Sequence, residues 1–274
     1  MPSKIDFITE LYKRTIKDIT SDSVAWRAFL HSASYQYKYP FSDQVLIHVQ
    51  RPFAIACATF DAWHEKPLNR RINYGAKGIA LIRERAGGRI GLDYVFDVKD
   101  TNSPTNAKFE LWNIKPEYIE DVIEMLGNRF GNSNSKNNIY HAVVFACMNL
   151  CQDNIQDYVQ EMYNSVEGSF LDDLDEDNIR RSLFLTVQAS VGYIVLTRLG
   201  LDADSYYGAE MFDRIHEFNT PATVNILGTA TADIAELCLR EIERTIKSLD
   251  KINSRTFDSN EDVIYNKDEK NKTD

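Results

Sequence analysis

The spacing of hydrophobic residues changes along the chain. In the first part they recur at helical intervals and predict a run of helices. Apolar and polar positions then alternate at 79–83 and again at 90–96, with the hairpin signal Gly87-Gly88 between them, so two antiparallel strands are expected. From Lys115 the helical spacing returns and predicts helices as far as about Leu249.

Polar residues ahead of the apolar runs predict where the early helices begin. Candidate N-caps are the Ser-Asp-Ser cluster at 21–23, then Ser42 or Asp43, and then Thr59. A proline disfavours helical geometry in the residue before it, so a helix is expected to end by Pro40.

These elements predict an α+β fold, with a small, mostly antiparallel sheet and packed helices in the N-terminal half, followed by an all-α helical domain. Two strands alone are marginal, so they should lie against the helices or pair with a short strand near 109–112. The polar loop at 101–106 is a candidate boundary. We therefore predict an α+β domain at 1–110, an acidic all-α domain at 111–250 and a disordered tail at 251–274, which is rich in Asn, Asp, Lys and Glu.

Composition is typical of a soluble protein. The 274 residues are 43% hydrophobic and 26% charged. The N-terminus has no apolar signal core, and the strongly apolar segment 179–199 contains Arg180 and Arg181, which predicts a buried helix instead of a membrane span. The four cysteines lie in apolar settings without a paired framework. We therefore predict a cytoplasmic protein without membrane contact.

The net charge of −10 hides an asymmetry between the two halves. Residues 1–110 hold 16 Lys and Arg against 12 Asp and Glu, whereas residues 111–274 hold 15 against 29. Segment 66–91 carries seven basic residues and one acid, Glu84. A local basic patch binds phosphates whatever the total charge. The candidate phosphate-binding residues are Arg70, Arg71, Lys77, Arg83 and Arg85.

Aromatic residues accompany the basic segment. Tyr35, Tyr37, Tyr39 and Phe41 alternate over seven residues. Two interpretations are open for them: they pack one side of the core, or they are platforms on which unpaired bases stack, worth about 1–3 kcal/mol per base. The same alternatives hold for Trp63. The candidate base-stacking residues are Tyr37, Tyr39, Trp63 and Tyr74, whereas Trp26, Phe29, Leu46 and Ile47 are assigned to the core.

No motif for catalysis or metal binding is complete. The zinc-protease motif H-E-x-x-H begins at His64 and at His216, but Leu68 and Thr220 stand where the second histidine is required. Two cysteines at helical spacing, with a histidine upstream, lack the fourth ligand of a structural zinc site, so buried helix cysteines are favoured (Cys147, Cys151, His141). We predict no enzyme activity, no metal and no cofactor.

Four segments of the N-terminal half carry a family resemblance. They are Trp26-x-x-Phe29-Leu30, Tyr39-x-Phe41-x-x-Gln44-x-Leu46-Ile47-x-x-x-Gln50-Arg51-Pro52, Phe60-x-x-Trp63 and Gly75-x-Lys77-Gly78-Ile79. Together they resemble the N-terminal domain of ArdC-type antirestriction proteins, and more closely the head of large polyvalent proteins of conjugative elements and phages. The resemblance covers about residues 5–100. It implies single-stranded DNA binding and protection of incoming DNA from host restriction. ArdC proteins also carry a metalloprotease-like domain with H-E-x-x-H, a motif that this chain lacks.

We therefore predict a non-catalytic single-stranded DNA-binding protein of a mobile genetic element. The alternative is a protein-binding inhibitor of a host defence nuclease, of the anti-restriction or anti-CRISPR type, that acts through the acidic helical half. The acidic run at 167–177 favours this alternative, whereas the position of the resemblance in the basic half opposes it. A third possibility is a structural spacer that binds neither DNA nor a defence protein.

Overall fold

The structure is a computed structural model that describes residues 3–105, 107–131 and 138–270, with side chains described as far as Asn253. Helices and a small antiparallel sheet confirm the predicted α+β class. The α-helices are α1 (Lys4–Asp18), α2 (Ser23–Tyr35), α3 (Phe41–Gln50), α4 (Phe60–His64), α5 (Ile119–Phe130), α6 (Ile139–Asn154), α7 (Gln156–Tyr163), α8 (Glu176–Arg198) and α9 (Pro221–Lys270). The strands are β1 (Cys57–Thr59), β2 (Arg71–Ile72), β3 (Ile79–Arg85), β4 (Arg89–Asp97) and β5 (Thr101–Asn102).

The strands form two antiparallel sheets. The first has the order β1-β4-β3, and the second pairs β2 with β5. The β3–β4 hairpin, which pairs Ile79 with Val95 and Arg85 with Arg89, was predicted from the alternation and the two glycines. The third strand is β1. Of the two alternatives for the hairpin, packing against helices holds, since β3 contacts α1 and α3, whereas residues 109–112 form no strand. The Gln50 side chain bonds the backbone N–H and C=O of Ala80, both at 2.9 Å, so α3 covers part of the outer edge of β3.

Two of the three predicted helix caps are confirmed. Asp22 accepts hydrogen bonds from the backbone N–H groups of Val24 and Ala25, and Thr59 accepts one from Ala62. The predicted cap of α3 by Ser42 or Asp43 is wrong. That helix begins after Pro40 without a side-chain cap, because Asp43 already lies inside the helix.

One hydrophobic core crosses the predicted domain boundary at residue 110. Buried residues of α1, α2 and α3 belong to the same cluster as those of α5 to α9. Trp26 Nε1 donates to Ser190 Oγ at 2.9 Å, and the ring of Phe41 lies so close to Gly228 that a Cβ there would be 2.2 Å from it. A smaller cluster, which includes Leu46 and Leu81, lies under the hairpin. The core assignment of Trp26, Phe29, Leu46 and Ile47 is confirmed.

The last helix is longer than its predicted end near Leu249. It continues to Lys270, through most of the segment for which composition predicts disorder (251–274). Extending an anchored helix adds one hydrogen bond per residue and requires no apolar face, so a polar sequence can continue it. Residues 271–274 lie outside the described part of the chain. None of the described helices combines the length and apolar character that a membrane span requires.

Candidate nucleic-acid interface

Residues 71–77, which comprise β2 and the turn that follows it, hold three predicted site residues and are called here the 71–77 loop. Its corner is a β-turn closed by the Ala76 N–H, which donates to the Asn73 carbonyl at 3.1 Å. Gly75 is the third residue of the turn and has φ of +79°, as a type II turn requires. Tyr74 is therefore at the corner, where its side chain is fully exposed, with a relative exposure of 108%.

The loop is attached to the body at its base. The backbone N–H of Asn73 donates to the Asp100 carbonyl at 2.8 Å, and the Asn73 side chain accepts from Asn102 Nδ2 at 2.9 Å. Gly78 lies against Tyr94 and Phe96, where a Cβ would be 3.1 Å from both side chains. These contacts fix the position of the turn and leave its corner in solvent.

Arg71 and Lys77 are the cations of this loop, and both are exposed. Neither side chain has a hydrogen bond or an ion pair with any residue that the structure describes. Their donors are therefore available to a ligand, on either side of Tyr74 in the sequence. The structure places these three predicted residues, Arg71, Tyr74 and Lys77, within one short exposed segment.

Arg70 immediately precedes this loop, and its side chain donates hydrogen bonds within the protein. Its Nε donates to Thr101 Oγ1 at 2.7 Å, Nη2 donates to the Thr101 carbonyl at 3.3 Å, and Nη1 donates to the Ala107 carbonyl at 3.1 Å. Its guanidinium carbon also lies 5.9 Å from the centre of the Phe109 ring. Arg70 therefore anchors β5 and the segment that follows it. Its assignment as a phosphate ligand stays a prediction.

Arg83 and Arg85 are paired with carboxylates of this chain. Arg83 makes a bidentate pair with the buried Asp43, with both N···O distances at 2.7 Å. The hydrogen bonds that Arg83 donates to Asp43 raise the pKa of Arg83. Arg85 pairs with Asp93 on the adjacent strand. Both arginines therefore stabilise the hairpin through these ion pairs, and their assignment as phosphate ligands stays a prediction.

Two of the predicted stacking residues are buried. Trp63 is 1% exposed, and its Nε1 donates to the Phe96 carbonyl at 2.8 Å. Of the two interpretations of Trp63, packing in the core therefore holds and stacking on a base does not. Tyr37 is also buried, and its hydroxyl donates to Glu243 at 2.5 Å. Neither can stack on a base at the protein surface. Tyr39 is half-buried, its hydroxyl donates to the Cys57 carbonyl at 2.9 Å, and burial raises its pKa.

Tyr37 and Tyr39 line a cavity of about 500 Å³, which we call the aromatic pocket. The segment after β5 contributes Phe109 and Trp112 to its wall, α8 contributes Arg198, and α9 contributes Glu243 and Lys247. This pocket has no signal in the sequence, because its members are far apart in the chain. Arg198 in the last turn of α8 has the pattern of an ordinary helix-terminal cation.

Glu243 organises one side of the aromatic pocket. Its carboxylate accepts hydrogen bonds from Tyr37, from Lys38 at 2.8 Å and from Lys247 at 2.7 Å. Burial alone would raise the pKa of this group, but the hydrogen bonds from Lys247, Lys38 and Tyr37 outweigh burial and lower the pKa to about 2. Glu243 is therefore ionised at neutral pH, and its charge is balanced by the two lysines.

Comparisons with protein-family models, with curated proteins and with solved structures gave no match for this chain. The resemblance of residues 5–100 to the ArdC-type domain therefore stays a prediction. No group of three or more His, Cys, Asp or Glu in the described part of the chain is arranged to hold a metal ion.

Proposed function

We propose that this protein binds single-stranded DNA, without catalysis, through the 71–77 loop. The observation that carries the proposal is the full exposure of the Tyr74 ring on a turn. The cations on either side of it in the sequence, Arg71 and Lys77, have no partner in the described structure. An aromatic ring offers a stacking surface to any base, and the cations match the phosphates on either side of it. The type II turn fixes the backbone that carries the ring, so little backbone freedom is lost on binding.

Exposure of Tyr74 favours a single strand over a duplex. In a duplex the faces of the bases are covered by their neighbours, whereas an unpaired base can stack on a protein ring. The two cations predict a weak, salt-dependent interaction, with a slope of about −0.7 in log affinity against log salt for each phosphate contact.

By the resemblance of residues 5–100, we propose that the protein belongs to a mobile genetic element and protects incoming DNA from host restriction.

The test is fluorescence anisotropy of a labelled oligonucleotide, single-stranded or duplex, titrated at several salt concentrations. Wild-type protein should prefer the single strand. The double variant Arg71→Glu/Lys77→Glu should bind at least about tenfold more weakly and with a shallower salt slope. Tyr74→Ala should lose about 1–3 kcal/mol, roughly 5- to 150-fold in affinity, with the salt slope unchanged.

The matched control is Lys13→Glu/Lys17→Glu, which makes the same change of charge at two exposed positions of α1. Equal weakening by this control and by the loop variant would show that only the total charge matters, and would refute the assignment to the loop. Wild-type binding by Tyr74→Ala would exclude stacking on that ring. Thermal unfolding of each variant verifies that it is folded.

The second candidate function is inhibition of a host defence nuclease through the acidic half. The observation that favours it is the exposure of five carboxylates just before and at the start of α8, which could occupy a basic DNA-binding groove (Asp172, Asp173, Asp175, Glu176, Asp177). Replacing Asp172, Asp173 and Asp177 with Asn tests it. Loss of antirestriction in cells with unchanged oligonucleotide binding would support the inhibitor, and unchanged protection would exclude it. Deletion of 111–274 is not a usable test, because that part packs against α2 and α3.

A further inference from the structure

The aromatic pocket contains a buried arginine that forms no ion pair with any carboxylate that the structure describes. Arg198 is 6% exposed, and its guanidinium carbon lies 3.6 Å from the centre of the Trp112 ring. Its one hydrogen bond within the described structure is from Nη2 to the Trp112 carbonyl, at 3.0 Å. None of the described carboxylates lies within ion-pair distance of it. Burying a cation without a counter-ion costs free energy, so an anionic ligand would stabilise this position.

The nearby carboxylates do not remove this excess of positive charge. Glu243 is shared by Lys38, Lys247 and the Tyr37 hydroxyl, so its charge is already balanced. The other acid that lines the pocket, Glu110, is exposed to solvent. Nε and Nη1 of Arg198 make no hydrogen bond with the described residues, and the residue lines the cavity. The pocket thus contains donors and positive charge that fit an anion.

The rest of the wall fits a planar ring. Aromatic side chains make up much of it (Tyr35, Tyr37, Tyr39, Phe109, Trp112). Trp112 is held in place, because Arg198 stacks on its ring and its Nε1 donates to the Tyr37 hydroxyl at 3.2 Å. The volume of about 500 Å³ lies within the range of small-molecule sites. A ligand with both an aromatic ring and an anionic group would use both parts of the pocket.

We propose that the aromatic pocket binds a nucleoside 5′-phosphate, with the phosphate on Arg198 and the base against the aromatic wall. A phosphate monoester carries nearly two negative charges at neutral pH, which suits a site where Lys38 and Lys247 add positive charge beside Arg198. Guanidinium N–H groups are strong donors to phosphate, and Nε and Nη1 of Arg198 have no hydrogen-bond partner among the described residues. This site shares no residue with the 71–77 loop, so the inference does not rest on the proposed function.

Two sources of this ligand are possible, and they share the same chemistry. One is a free nucleotide, and the other is the 5′-phosphorylated end of a DNA strand. The second source has a geometric basis, because Phe109 in the pocket wall lies beside Arg70, which immediately precedes the 71–77 loop. A strand bound at the loop could place its end in the pocket.

The test is titration calorimetry of the full chain with dAMP, with deoxyadenosine and with inorganic phosphate. We expect dAMP to bind at least tenfold more tightly than either of the others, because only dAMP uses both parts of the pocket. Arg198→Met, which keeps the length of the side chain and removes its charge, should lose at least tenfold in dAMP affinity. The matched control is Arg240→Met, which removes an exposed arginine from α9. No dAMP binding by the wild type at millimolar concentration, or equal binding by Arg198→Met, would overturn the proposal.

A second variant guards against misfolding of Arg198→Met, whose side chain also supports Trp112. Lys247→Gln changes an exposed lysine at the pocket and should reduce the preference for dAMP over deoxyadenosine. An unchanged preference would count against the phosphate assignment.

Oligonucleotides with a 5′-phosphate or a 5′-hydroxyl distinguish the two sources. If the wild type binds the 5′-phosphorylated strand tenfold more tightly and Arg198→Met loses this preference, the ligand is the strand end. If the wild type shows no such preference, the ligand is the free nucleotide. Arg71→Glu/Lys77→Glu should bind dAMP normally, which separates this site from the loop.

Discussion

Replacing Glu243 with Gln should destabilise the protein at pH 7 by about 1–2 kcal/mol. The substitution keeps the size of the side chain and removes the charge that accepts hydrogen bonds from Tyr37, Lys38 and Lys247. It also imitates the protonated carboxyl group. The effect of the variant therefore measures how much the ionised form of Glu243 contributes to stability.

The magnitude follows from the pKa of Glu243, which lies at about 2 instead of its usual 4.5. Each pKa unit corresponds to about 1.4 kcal/mol, so the linkage between protonation and folding limits the contribution of the ionised group to about 3 kcal/mol. The side chains of Lys38 and Lys247 are 45% and 59% exposed, so solvent weakens their interaction with the carboxylate and the expected value is smaller. Because the folded pKa is lowered, the stabilisation is complete above about pH 4.5 and is lost as the pH falls toward 2.

The assay is urea unfolding of wild type and Glu243→Gln, followed by tryptophan fluorescence, at pH 7 and in steps down to about pH 3. The difference in the free energy of unfolding should narrow as the pH falls. The control is Glu124→Gln, at an exposed position of α5. Its free energy of unfolding should stay within about 0.5 kcal/mol of the wild-type value. A difference for Glu243→Gln that is equally large at every pH would refute the electrostatic reasoning and indicate a packing effect.

Two further predictions concern packing and a buried ion pair. Gly192→Ala places a Cβ 2.0 Å from the hydroxyl of Tyr207. We therefore expect the free energy of unfolding to fall by about 1–3 kcal/mol. An unchanged midpoint of thermal unfolding would contradict this close contact. Asp43→Asn breaks the bidentate pair with Arg83 and should cost about 1–3 kcal/mol in urea unfolding, whereas adding Arg83→Met should recover part of that loss.

The local sequence correctly predicted those helix starts and turns that depend on residues close together in the chain. The hairpin follows from alternation and from two glycines, and the start of α2 follows from Asp22, which bonds the next turn of the chain. The end of α9 is different, because polar composition alone gives no information on whether an anchored helix continues.

Which cations and rings remain exposed depends on residues distant in sequence. Arg83 finds its partner Asp43 forty positions earlier, and Trp63 is buried where the carbonyl of Phe96 accepts its N–H. No local pattern separates these residues from Lys77. The exposure of Tyr74 did have a local signal, because Asn73 and Gly75 are the residues that a type II turn favours on either side of it.

The aromatic pocket contains residues from both sides of the predicted boundary at residue 110. Tyr37 precedes α3, whereas Arg198 and Glu243 belong to α8 and α9. The bond from Trp26 to Ser190 and the contact of Phe41 with Gly228 hold these parts together. The helical half is therefore a scaffold for the N-terminal half, whatever its net charge. The side that it contributes to the pocket presents two cations, Arg198 and Lys247, and one carboxylate, Glu243. From the net charge of each half, anion binding would be expected in the N-terminal half alone. The aromatic pocket, however, is lined by residues of both halves.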